Sequence, residues 1–255
     1  MKNVLFIIPS LNYGGAELLL LQQVQWLKKN GWSCYVAILS RNNNEELLEK
    51  LSLPKEKLIF FESNHSVLHF SALVFAWQHY KKLTSFAKKN NIKNIIAHLP
   101  LAHFWGRLVK LKMPFARLLI YHHSMQYQAN PLNTVGKKIF NNYQKSLAQK
   151  TDDVTICISE SVKENIDAYF VLKNSVILYN AVPERDLSKN TEIDRVGREE
   201  LIKLILPGRL HPAKGHLFFL KVFQQLIGEF RRPLKLVIAG GGGLEKEIKI
   251  GRAHV

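Results

Sequence analysis

The sequence predicts an α/β fold built on a parallel sheet, and three observations carry that prediction. Short apolar runs alternate with longer amphipathic ones from the first residues onward. The short runs are apolar at nearly every position rather than every second one, and Gly, Pro and Asn cluster at the joins. Strands buried on both faces by crossover helices read in this way, whereas strands with one solvated face alternate apolar with polar.

In order, the strands are "NVLFIIP" (3–9), "SCYVAIL" (33–39), "KLIFF" (57–61), "NIIAH" (94–98), "RLLIY" (117–121), "VTICIS" (154–159) and "SVILY" (175–179). Helices are expected between them, over about 15–30, 44–51, 67–90, 103–112, 134–150 and 160–170. In "NNNEELLEKL" an Asn cap precedes acids in the first turn. These elements make one complete domain over residues 1–180. Charge, Pro and Gly then break the pattern in "AVPERDLSKNTEIDRVGREE", read as a linker at 181–200. A second unit over 201–249 offers strand 203–208, helix 215–229, strand 235–240 and the helical "LEKEIK". About 50 residues cannot close a core of their own, so this second domain is expected to be incomplete. The last six residues, "IGRAHV", match one reading frame of a widely used sequencing-library adapter, and 250–255 are read as a non-native tail.

The balance of 36 basic against 20 acidic residues, a formal net charge of +16, points to an anionic partner. The excess is uneven. From Ser63 to Thr151 there are 13 Lys or Arg and no Asp or Glu. There "HYKKLTSFAKKNNIK" and "RLVKLKMPFAR" set cations beside Trp77, Phe86, Trp105 and Phe115, a composition suited to an anionic membrane surface. An ordinary charge run is merely a solvated face, but an acid-free stretch of this length is harder to assign to solubility alone. No RNP-like, zinc-finger or recognition-helix signature supports a nucleic-acid partner. The apolar stretches are too short for a signal-peptide core or a bilayer span, and Cys34 and Cys157 sit in apolar strand runs without metal-ligand spacing. A cytoplasmic protein is expected, peripheral at the inner face of the cell membrane.

Three stretches are candidate sites. "GGAE" (14–17) joins the first strand to the first helix, where consecutive glycines let a ligand approach backbone N–H groups; the spacing is not that of a dinucleotide fingerprint. "YHHSMQY" (121–127) puts His122 and His123 at a strand end, suited to hydrogen-bonding sugar hydroxyls, and adjacent residues of a strand point to opposite faces. His98 and His103 are weaker candidates, and the spacing of the four does not suit a metal. In "LILPGRLHPAKGHLFFL" (204–220), Arg209 and Lys214 lie on a turn between a strand and a helix N-terminus, where an Arg fork and a Lys point charge would neutralise a diphosphate. Two basic residues in a loop are, taken alone, usually just solvated.

Together, "NVLFIIPSLNYGGAE", "ICISESVKENI", "VILYNAV" and "LILPGRLHPAKGH…KLVIAGGGGLEKEI" resemble the retaining glycosyltransferases of family 4, the group 1 enzymes of GT-B fold. The resemblance implies two Rossmann-like domains, the first on the acceptor side and the second binding the donor. It implies transfer of a sugar from a nucleotide-diphosphate donor to an acceptor hydroxyl with retention and no metal, in cell-surface polysaccharide or glycolipid synthesis. By the same resemblance His122 contacts the donor sugar, with His123 the alternative if the register differs by one. Arg209 and Lys214 grip the diphosphate at the mouth of the interdomain cleft, with Gly14, Gly15, Gly208 and Gly240 in the ligand-facing loops. Ser159 and Asn180 match family positions read as structural. The family's acidic donor motif lies further downstream than residue 255, so the chain as it stands is expected to be inactive although its parent is an enzyme. The rival readings are a non-catalytic anion- or membrane-binding module and another GT-B enzyme, such as a nucleotide-sugar epimerase.

Overall fold

The computed structural model describes residues 2–61, 70–129, 131–181, 201–230 and 232–250. The chain divides into two compact units, Met1–Val182 and Pro183–Val255. Residues 182–200 of the expected linker and 251–255 of the tail lie outside the described residues.

Seven parallel strands form the sheet of the first unit: β1 (Asn3–Ile8), β2 (Ser33–Ile38), β3 (Leu58–Phe60), β4 (Asn94–His98), β5 (Arg117–His122), β6 (Val154–Cys157) and β7 (Ser175–Ile177). Their spatial order is β3-β2-β1-β4-β5-β6-β7. The order reverses between β1 and β4, and ligands of open α/β sheets bind outside the carboxyl ends of the strands at such a switch point.

Helices cover both faces. α1 (Gly15–Lys29) and α2 (Glu45–Leu51) pack on one side, where Leu20, Val24, Leu47 and Leu51 meet Phe6, Ile8, Val36 and Ile38. α3 (Phe70–Lys89) and α4 (Pro100–Lys112) cover the other, with Leu83, Ala102 and Val109 against Leu5, Ile7, Ile95 and Leu118. Every residue of β1 is buried, which is why its run is apolar throughout. At about 1.5–3 kcal/mol for each large apolar side chain fully buried, strands such as β1 hold the unit together. α5 (Gln126–Ala129), α6 (Val135–Thr151) and α7 (Glu160–Asp167) complete it. The expected Asn cap is Asn44, whose side chain accepts from Leu47 N at 3.1 Å. Ser159 caps α7 in the same way, accepting from Val162 N at 3.3 Å, so its role is structural.

In the second unit β8 (Ile202–Pro207) and β9 (Leu234–Ala239) pair in parallel, with α8 (His216–Glu229) between them and α9 (Glu245–Ile250) following. Their burial alternates residue by residue, and Ile205 is exposed on the open face. This corrects the expectation of strands buried on both faces. The edge strand β7 of the first unit is open too, with Val176 and Ile177 exposed, which corrects the expectation that all seven of its strands are buried on both faces.

Two details of the basic stretch are also corrected. Arg107 is not a surface cation but is buried, and Phe86 and Trp105 pack against the core instead of facing outward. Trp77 and Phe115 are exposed as expected. Among the described residues no helix is long and apolar enough to cross a membrane.

Candidate active site

The loop after β1 is fastened before it reaches the glycines. Leu11 N donates to Asn43 Oδ1 at 2.7 Å, Asn12 Nδ2 to Asn42 O at 3.1 Å, and Asn44 N to Leu11 O at 2.8 Å. Gly14 is then the extended N-cap of α1 and Gly15 its first residue. A Cβ on Gly15 would meet nothing within 4 Å, so packing does not require a glycine there, whereas one on Gly14 would lie 2.4 Å from Glu17 Oε2.

Across the switch point, β4 ends at His98, and the next residue, Leu99, has φ of 73°. A non-glycine residue in that region costs about 1–3 kcal/mol, and such strain clusters at functional sites. Pro100, with its fixed φ, then opens α4.

His122 and His123 do take opposite faces. His122 lies edge-on to His103 of α4, ring centroids 4.6 Å apart, and lines a cavity of about 210 Å³ between α4, α5 and α6. His123 turns toward the other layer, stacks on Tyr121 at 5.0 Å, and shares a hydrogen bond with His98, His123 Nε2 to His98 Nδ1, of 2.8 Å. His98 stacks in turn on Phe6 of β1, so this pair sits at the switch point itself. His123 is half-buried and the other three are buried. Burial first, then nearby positive charge, keeps the rings neutral: His122 is pulled down to about 3, His123 to about 4 by burial alone, and His98 and His103 well below the ordinary range. Among the described residues, no three His, Cys, Asp or Glu side chains are grouped to hold a metal ion. Cys34 and Cys157 are free and buried, each thiol pushed up to about 11, chiefly by burial, and so unreactive.

In the second unit Arg209 and Lys214 are both exposed on one compact turn. His211 N donates to Arg209 O at 2.8 Å and Lys214 N to His211 O at 2.9 Å, and the turn leads into the N-terminus of α8. Two glycines here have a packing reason. Gly240, at φ 154°, leaves no room for a Cβ, which would lie 2.0 Å from Gly208 O, and a Cβ on Gly242 would lie 2.6 Å from Leu210 O. The loops after β8 and β9 therefore run in close contact, and Gly208 N donates to Ala239 O at 2.9 Å.

Reading the sequence missed three features. His216, the first residue of α8, is 1 % exposed beneath Gly208 with neither ring nitrogen hydrogen-bonded; its only signal was the "KGH" that closes the turn. Arg107 is clamped by Asp152, Nε to Oδ1 at 2.9 Å and Nη2 to Oδ2 at 2.7 Å, and its Nη1 donates to Gln144 Oε1 at 2.7 Å. His98 gave no local signal for its partnership with His123. Asn180, exposed after β7, makes no structural role visible.

A parallel sheet of order 3-2-1-4-5-6-7 with its loops gathered at the switch point defines the first unit as a Rossmann-like domain. Residues 13–185 match the family described as Glycosyltransferase Family 4, and the chain belongs to it. No curated protein is a significant sequence match. Similar solved structures include the apo form of the lipopolysaccharide outer core galactosyltransferase WaaB, with a TM-score of 0.61 at 16 % identity, covering 98 % of this chain and 64 % of that one. MurG of Acinetobacter baumannii gives 0.56 at 13 % identity, covering 100 % and 63 %. An α-glucosyltransferase in complex with UDP-glucose and DNA containing an abasic site gives 0.54 at 15 %, covering 99 % and 60 %. At these identities the likeness is one of fold, and the chain spans under two thirds of each of these proteins.

Proposed function

We propose that the protein to which this chain belongs transfers a sugar, with retention, from a nucleotide-diphosphate donor to the hydroxyl of a glycan or lipid-linked acceptor at an anionic membrane surface. The cell-surface polysaccharide and glycolipid pathways are where such an acceptor arises. The observation that carries the reading is the placement, in a family 4 chain, of Arg209 and Lys214 on the turn that opens α8. Negative charge grows on the departing diphosphate in this reaction. A guanidinium fork, an ammonium and free helix N–H groups suit that charge. For the donor sugar the family resemblance offers His122 or His123, and of the two His123 has the support of its place beside the switch point.

The α-glucosyltransferase structures contain UDP, which supports a uridine nucleotide as the first donor to test. Some of them also contain DNA, and a basic chain would suit a nucleic-acid acceptor as well; the exposed aromatic and aliphatic side chains among the cations favour a membrane instead.

The reading is tested by titrating UDP and other nucleoside diphosphates into the protein and into Arg209→Ala. Loss of charge-assisted hydrogen bonds worth about 1.5–3 kcal/mol should weaken binding by roughly 10- to 100-fold. Equal affinity in the variant, or no binding of any nucleoside diphosphate, sinks the assigned role.

A further inference from the structure

The cavity behind His122 has a polarity that the donor site does not use. Arg107, its buried cation, is spent: Asp152 takes Nε and Nη2, and Gln144 Oε1 takes Nη1. Arginine only donates, so the amide oxygen of Gln144 must face it, and the orientation of that amide is fixed. Gln144 Nε2 consequently turns away from Arg107, and it is buried without a partner in a residue only 7 % exposed. A stranded donor of this kind is costly unless something accepts from it.

His103, which also lines the cavity, has its Nε2 3.0 Å from Tyr121 O. A carbonyl only accepts, so Nε2 carries the proton, and in the neutral ring Nδ1 is left as an acceptor. Leu132, Phe140 and Phe170 supply apolar lining. Lys137, the other cation at the cavity, is exposed and reaches Pro131 O and Asn133 Oδ1.

We infer that this cavity binds a neutral secondary amide, the N-acyl group of an amino sugar: its carbonyl accepts from Gln144 Nε2, its N–H donates to His103 Nδ1, and its acyl carbon packs on Leu132, Phe140 and Phe170. A carboxylate or phosphate would bring a charge to a cavity whose buried cation is already matched by Asp152. A bare hydroxyl would leave the apolar wall uncovered. The amino sugar, rather than a peptide, as source of the amide rests on the proposed glycosyl transfer and makes the cavity a subsite for the acceptor.

The purified protein, free of donor, is titrated with methyl N-acetylglucosaminide, methyl glucoside and N-acetylalanine methylamide, followed by NMR. The acetamido glycoside should bind at least about tenfold more tightly than the glucoside, a difference of about 1.4 kcal/mol. Gln144→Glu keeps an oxygen against Arg107 and replaces only the stranded donor by an acceptor. It should abolish that preference, at some cost in thermal midpoint, because it adds a buried carboxylate beside an Arg107 already matched by Asp152. Leu132→Ala, which leaves the hydrogen bonds of Arg107 to Asp152 and Gln144 in place, should weaken the acetamido glycoside severalfold and so serves if Gln144→Glu is poorly folded. Equal binding of the two glycosides, preference for the peptide amide, or an unchanged Gln144→Glu overturns the proposal. Because no nucleotide is present, failure of nucleoside diphosphate binding leaves this result standing, and failure here leaves transfer to an acceptor without an N-acyl group standing.

Discussion

His98, His103, His122 and His123 have each exchanged hydration for ring and backbone contacts at the ends of β4 and β5, and that exchange ties stability to pH. Their folded pKa values lie below the ordinary value of about 6.5, at about 3 for His122 and about 4 for His123. Between those values and 6.5 the unfolded chain binds more protons than the folded one. Stability is therefore complete above about pH 6.5 and falls as the pH drops toward the folded values. Each histidine kept neutral contributes a slope of about 1.4 kcal/mol per pH unit, so one alone removes about 2 kcal/mol by pH 5. Urea unfolding at pH 7 and pH 5 should show a clearly lower midpoint at pH 5, in a window above the titration of ordinary carboxylates. A flat midpoint would mean that the rings are hydrated. Part of this was legible: "YHHSMQY" marks the pair, and strand alternation sends the two rings to opposite faces. Which face carries the switch point was not legible, because it depends on Phe6 and His98, contributed by two other strands.

At the scale of elements, the seven strands of the first unit are readable to within a residue or two because each is a nearly continuous apolar run, as burial on both faces requires of β1, although the edge strand β7 is open. α5 has only four residues and no period to read, and it went unseen. Equally hidden was the tie between α4 and the segment joining α6 to β6. Arg107 stands in a basic run that reads as surface, and its partner Asp152 lies 45 residues further on. Both side chains are almost wholly buried, so removing one leaves the other charged, desolvated and unmatched. Asp152→Ala should cost about 3–5 kcal/mol, seen as a fall in the urea midpoint with little change of slope. Replacing both, as Arg107→Met with Asp152→Leu, should recover much of the loss, since a well-packed apolar pair is often no less stable than a buried ion pair. If the single variant costs under about 1 kcal/mol, water reaches the pair and the tie is only a surface bridge.

For the molecule as a whole, the sheet topology gathers the charge. α3, α4 and α6 all fall inside the acid-free stretch 63–151, so none of the three carries an acidic residue. Of their cations, Arg107 and Lys110 are matched by Asp152 and Asp153, and nine further lysines remain. Large apolar side chains stand among them: Val135, Ile139, Phe140 and Tyr143 recur along one side of α6 and are exposed, Val135 at 74 %, and Lys81 Nζ lies 3.3 Å from the centre of the exposed Trp77 ring. Helical spacing makes the α6 residues a stripe, and a solvated face has no use for one. A membrane interface accommodates both kinds of side chain, the stripe in the headgroup boundary and the lysines against anionic lipid. At about 1 kcal/mol for each basic residue near the surface, four or five contacts give attachment that salt weakens. Co-sedimentation with vesicles of neutral lipid and of neutral lipid mixed with phosphatidylglycerol should show binding only to the anionic set at low salt, reversed by several hundred millimolar salt. Val135→Ser with Ile139→Ser should weaken it without altering the salt dependence, since the charges are untouched. Equal binding to both vesicle types, or none to either at low salt, would return the acid-free layer to the role of a solvated basic face.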